Sequence, residues 1–89
     1  MKISPDELRK AALEFKIASG DSDEIIHRLN SVVKSLDASW DDANQQMFYK
    51  YFQEWYSYAS GISQLLFLIS GELEAVAEKY SDADSSVSQ

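Results

Sequence analysis

Eighty-nine residues, 45% of them hydrophobic and with two Trp, five Tyr and four Phe, make one small domain and rule out a wholly disordered chain. The formal net charge is −7. Residues 1–40 carry −1 (six Lys/Arg, seven Asp/Glu) and residues 41–89 carry −6 (two and eight). A surface of that sign repels phosphate backbones and argues against nucleic-acid binding. There is no cysteine, which removes disulfides, thiolate metal sites and thiol catalysis together.

The chain opens on Lys2 followed by Ser4-Pro5-Asp6-Glu7, with no apolar stretch of the kind a cleavable secretory leader needs. The same four residues mark a helix start. Ser4 is a capping serine, and Pro5 sits where its missing N–H costs nothing. Asp6 and Glu7 face the positive end of the helix dipole. From there Leu8, Ala12, Phe15, Ser19, Ser22, Ile26, Leu29, Val33, Leu36 and Trp40 recur in steps of four and three, one stripe of a helix. The first helix is expected over about residues 5–38. Its weak point is Ser19-Gly20-Asp21-Ser22-Asp23, where Gly20 costs about 1 kcal/mol relative to alanine. The heptad phase passes through unbroken, so the helix is read as continuous. The small residues there suit close approach by another helix.

A turn is expected over about residues 39–42. Asp42 with Gln45 three residues on reads as a second capping box, which starts a second helix near Ala43. Phe48, Phe52, Trp55, Ala59, Ile62, Leu66, Ile69, Leu73, Val76 and Tyr80 then repeat the pattern, and this helix is expected over about residues 43–80. Residues 81–89, with four serines and two aspartates, are expected to form a flexible tail. The fold class is all-α, an antiparallel helical hairpin.

The second helix carries more apolar surface than one intramolecular seam can use. Tyr51, Tyr58 and Leu65 step by seven beside that seam. A patch of this size is normally covered. Pairing two hairpins through Tyr51, Trp55, Tyr58, Ile62 and Leu65 gives a four-helix bundle, as a homodimer or a heterodimer with a related hairpin.

Signals for chemistry are absent. His27 is the only histidine and reads as a rim residue beside Ile26. No phosphate loop, nucleophile elbow or His-based metal pair occurs. Glu74 and Glu78 share a face with Lys79 nearby, the pattern of a solvated helix surface. Arg9 and Arg28, the only arginines, are about 28 Å apart along one helix, too far to clamp a dicarboxylate together. The expectation is no enzyme, no catalytic residues, no metal and no cofactor. After residue 40 the only cations are Lys50 and Lys79, which does not suit an interfacial helix, so stable membrane insertion is not expected. The run Leu65–Ile69 is too short to span a bilayer.

Three segments in this order carry a resemblance. Ile3-Ser4-Pro5-Asp6-Glu7-Leu8-Arg9 opens the chain, Ser39-Trp40-Asp41-Asp42-Ala43 with Phe48 forms the turn, and Tyr80-Ser81-Asp82-Ala83-Asp84 closes it. Across nearly the whole chain this resembles the WXG100 (ESAT-6-like) family. The resemblance implies export by a type VII secretion system as a folded dimer, without a cleavable signal peptide, from the bacterial cytoplasm to the outside or the cell surface. It gives Tyr80 and Asp84 the role of an export signal for a secretion ATPase. Trp40, Asp42 and Phe48 take the place of the family's turn motif, with Trp40 of one protomer close to the tail of the other. Asp42 stands where the family has glycine. The other reading is an intracellular adaptor for a larger toxin with a similar helical N-terminal domain.

Overall fold

A computed structural model describes residues 3–87, with side chains described through residue 82. Two helices account for it, α1 (Pro5–Asp37) and α2 (Ala43–Val87), and no strand occurs among the described residues. They fold back on each other as a rod of 71 × 17 × 17 Å.

Each helix begins on a cap that its sequence supplies. The Ser4 hydroxyl accepts the Glu7 N–H at 3.1 Å with Pro5 in the first turn, and Asp6 pairs with Arg9 at 3.6 Å on the exposed surface. At α2 the Asp42 carboxylate accepts the N–H groups of Asn44 (2.9 Å) and Gln45 (3.3 Å). Those donors would otherwise be orphaned at a helix start. No described non-glycine residue has positive φ. Asp42 therefore makes no use of the conformational freedom a glycine would bring, and serves as a cap.

On α1 the buried residues are Leu8, Ala12, Ser19, Ile26 and Val33, all members of the first heptad series. Gly20 lies within the helix with open space where a Cβ would stand, so the close approach of α2 is made by Ser19 and not by the glycine.

On α2 the seam differs from expectation. The second series placed Ile62 and Ile69 against α1, yet both are exposed, as is Tyr80. The buried residues are Ser63, Ser70 and Ala77, each one position further on. The reason is size. Small side chains let the two backbones come close enough to bond across the seam. The Ser19 hydroxyl donates to the Ser63 carbonyl at 2.9 Å, and the Ser70 hydroxyl donates to the Ala12 carbonyl at 2.8 Å. The Ser63 hydroxyl lies 3.2 Å from the Ser19 carbonyl and 2.5 Å from Asp23 Oδ1. Its single proton is best satisfied by the charged acceptor. Ser19 faces Ser63 and Ala12 faces Ser70, so successive heptads of the two helices are held in one antiparallel register. Larger residues at these positions would hold the backbones apart and leave the hydroxyl-to-carbonyl bonds unmade.

A second difference is the end of α2. The helix continues to Val87 and does not stop near Tyr80. Residues 81–87 contain no glycine or proline, so nothing in them breaks the i to i−4 ladder once α2 has formed. Residues 88–89 of the expected tail lie outside the described residues.

Candidate interaction surface

At the turn, the residues proposed as a motif meet. The Trp40 indole N–H donates to Asp42 Oδ1 at 3.0 Å, and the Trp40 ring packs on Phe48 at 5.4 Å between centroids. Phe48 stacks on Phe52 (6.2 Å), and Phe52 on Trp55 (5.6 Å). The result is a ladder of four half-buried rings from the turn into α2. One carboxylate oxygen of Asp42 thus ties together the tryptophan and the first turn of α2. A glycine here would leave the indole N–H and both backbone donors to solvent.

The end of α1 is tied to α2 through Asp37. Its carboxylate accepts from Gln45 Nε2 at 2.5 Å. A hydrogen bond to Asp37, then desolvation and the Asp37 charge, push the Tyr49 phenol above its ordinary value of 10.0. The folded chain therefore favours the neutral phenol. That contribution is present below pH 10 and is lost as the pH rises through the folded-state value. Asp37→Ala is expected to lower the Tyr49 titration, read as phenolate absorbance against a Tyr49→Phe control. An unchanged titration would remove the Asp37 contact as its cause.

The two flanks of the α1–α2 seam differ. On one, Leu29, Val32, Val33 and Leu36 of α1 and Phe48, Phe52 and Trp55 of α2 line an almost wholly apolar groove of about 400 Å³ at the turn end. Beside it runs the stripe Met47, Tyr51, Trp55, Tyr58, Ile62, Leu65 and Ile69. Six of the seven are exposed, Tyr58 to 74%, and Trp55 is half-buried. No charged residue interrupts that line. The five residues expected to form a dimer interface all belong to it. The opposite flank mixes hydroxyls and a carboxylate with exposed rings. A shallow cleft of about 610 Å³ there is lined by Ser19 and Asp23 of α1 and by Tyr56, Ser60, Gln64 and Phe67, among others, of α2. Further along, Arg9 faces Glu74 and Glu78 across a smaller cleft.

At the far end, Tyr80 is exposed. Asp84 follows one turn later within α2, and its side chain is outside the described residues. The sequence reading missed Ser63, Ser70 and Asp23 as seam residues. Their signal was a second seven-residue spacing of small side chains, Ser63-Ser70-Ala77, adjacent to the large one. Among the described residues no cluster of His, Cys, Asp or Glu is arranged to hold a metal, and no helix is long and apolar enough to cross a membrane.

Comparison with known proteins places these features in a group. Residues 1–85 match the family WXG100, described as proteins of 100 residues with WXG. The chain is 26% identical over 87 residues to an ESAT-6-like protein of Streptococcus agalactiae, covering 98% of this chain and 91% of that one. Among solved structures it is similar to EsxA of Geobacillus thermodenitrificans, with TM-score 0.88 and 25% identity, covering 100% and 97% of the two chains. It is also similar to EsxB of Bacillus anthracis, described as a secreted protein, with TM-score 0.86 and 32% identity over 94% and 96%.

Proposed function

We propose that this chain, which belongs to the WXG100 family, is a non-enzymatic helical hairpin exported by a type VII secretion system in a paired state. The observation that carries the reading is the pairing of two features on one rod. An uncharged stripe on α2 is left open to a second hairpin. An exposed Tyr80 stands at the far end of the same helix, with Asp84 four residues on. Positions four apart on a helix share a face, and both fall within α2. The secreted EsxB of Bacillus anthracis, 32% identical, supports the same direction.

The division of labour follows from the chemistry. The stripe is apolar and serves association, because burying it removes a surface that water disfavours. Tyr80 and Asp84 are polar-tipped and serve recognition by the secretion ATPase after the stripe is covered. The Trp40–Asp42–Phe48 turn holds the other end of the rod in shape. In an antiparallel pair it stands near the Tyr80 end of the other hairpin and completes one composite recognition surface.

The test is export from a bacterium with a working type VII system. Tyr80→Ala and Asp84→Ala are expected to leave the chain in the cell pellet and out of the medium, with helicity by circular dichroism unchanged. Normal appearance of both variants in the medium would overturn the signal.

A further inference from the structure

We infer that the flank opposite the apolar stripe holds the guanidinium of an arginine from an extended segment of a partner protein, in the cleft between Asp23 of α1 and Tyr56, Gly61 and Phe67 of α2. The inference goes beyond the export reading and does not rest on it.

The cleft is built around one carboxylate. Asp23 is the only charged residue that lines it. The Ser63 hydroxyl donates to Asp23 Oδ1, which fixes the carboxylate at the edge of the seam and leaves its second oxygen to a ligand. Among the described residues no basic side chain pairs with Asp23. The chain as a whole carries −7, so a cation is drawn here and an anion is turned away. A bare metal ion is poorly served, because among the described residues no group of His, Cys, Asp or Glu is arranged to hold one. The cation has to bring its own donors.

The rest of the lining selects among organic cations. Tyr56 and Phe67 are the first and last α2 residues of the cleft and are 38% and 59% exposed. An exposed ring face attracts a cation, and arginine stacks flat on one where lysine does not. Between the rings stand Ser57, Ser60 and Gln64, whose oxygens add acceptors beside the carboxylate. A guanidinium carries five N–H donors in one plane, enough for the carboxylate and its neighbours together, whereas an ammonium is a compact point charge.

Gly61 supplies the room. It lies within α2, where glycine costs about 1 kcal/mol relative to alanine. A Cβ there would meet nothing within 4 Å, so the packing of the hairpin does not require a glycine. Its effect is to keep the wall of the cleft low, so that another backbone can lie close. From Tyr56 to Phe67 the cleft runs about 16 Å along α2, the length of about five extended residues. Its volume of about 610 Å³ admits a side chain with the backbone that carries it. Being on the other flank, it stays open when the stripe is covered.

The probe is the peptide acetyl-Gly-Arg-Gly amide, titrated at low salt into the isotope-labelled full chain and followed by NMR. Backbone amide shifts are expected at Asp23, Ser60, Gly61 and Gln64, saturating at millimolar peptide. The citrulline peptide, which has the same shape without the charge, should give no saturating shift, and the lysine peptide should bind more weakly. Asp23→Asn keeps an oxygen for the Ser63 hydroxyl and removes the charge, and should weaken binding at least about tenfold. Gly61→Leu fills the cleft with a better helix former, and should abolish the shifts without lowering the melting temperature. The site would be overturned by the lack of a saturating shift with the arginine peptide, by equal binding of the citrulline or lysine peptide, or by unchanged binding in either variant. None of these readings involves export, so this inference and the secretion signal fail separately.

Discussion

Ser63→Leu is expected to lower the melting temperature of the hairpin by about 15 °C. Ser63 is only 4% exposed, and its carbonyl accepts the Ser19 hydroxyl across the seam. A leucine there has nowhere to go but between the backbones. Overpacking of this kind costs about 1–3 kcal/mol. The substitution also removes the hydroxyl held by Asp23 and forces the Ser19 hydroxyl away from the carbonyl of residue 63, at about 1 kcal/mol for each lost bond. A total of about 3 kcal/mol is a large share of the stability of a domain this size. At 4–8 °C per kcal/mol it gives the shift stated. Ser63→Ala serves as the control. It keeps the backbone carbonyl that accepts from Ser19 and fits the space, so it should cost about 1 kcal/mol. Thermal denaturation followed by circular dichroism reads both. A Ser63→Leu variant melting within a few degrees of wild type would mean that the seam is looser than the serine bonds require.

Ile62→Glu, one residue earlier, should do the opposite. Ile62 is 56% exposed, so a glutamate there is expected to leave each hairpin helical. It places a charge in the middle of the uncharged stripe through which the proposed pairing is made. Truncating a central interface residue commonly costs 2 kcal/mol or more, and burying an unpaired carboxylate adds to that. Self-association is expected to weaken at least about 100-fold. The variant should scatter light as a 10.1 kDa species at concentrations where the wild-type chain has twice that mass. Retention of the doubled mass would move the interface off this stripe. The contrast between adjacent residues is the sharper result. The expected outcome is that position 63 affects folding of one hairpin and position 62 affects the proposed meeting of two.

That contrast also marks where the sequence was legible. The hairpin could be read because its signals are local. Ser4-Pro5 and Asp42 are caps, and two uninterrupted seven-residue patterns flank a four-residue turn. Half of the α1 seam could be read for the same reason, since Leu8, Ala12, Ser19, Ile26 and Val33 are in the series and buried, whereas Leu29 and Leu36 of the same series are exposed toward the turn end. The α2 seam could not, because hydrophobicity favours large residues where close packing needs small ones. Ile62 and Ser63 are neighbours on the same helix, and the apolar pattern selected the isoleucine. The hydroxyl that binds across to α1 is worth more at that spot than a methyl group, and no single-helix pattern contains α1. The extension of α2 to Val87 was missed because a polar composition argues for a tail, whereas the long helix running from Ala43 already supplies the nucleus that a short polar segment lacks. The row Tyr51, Tyr58 and Leu65 was legible as surplus apolar surface, and these residues are exposed. The groove at the turn end was not legible, because its two walls come from different helices.

Family membership and the exposed Tyr80 end of α2 meet in one central claim, that this chain leaves the cell through a type VII secretion system. The direct measurement is the amount of the tagged wild-type chain in medium and cell pellet of one host, with its type VII secretion ATPase intact and deleted. The account predicts the chain in the medium of the intact host and confined to the pellet of the deleted one, while a cytoplasmic marker stays in the pellet of both. Equal amounts in the medium of the two hosts, or none in either, would contradict it.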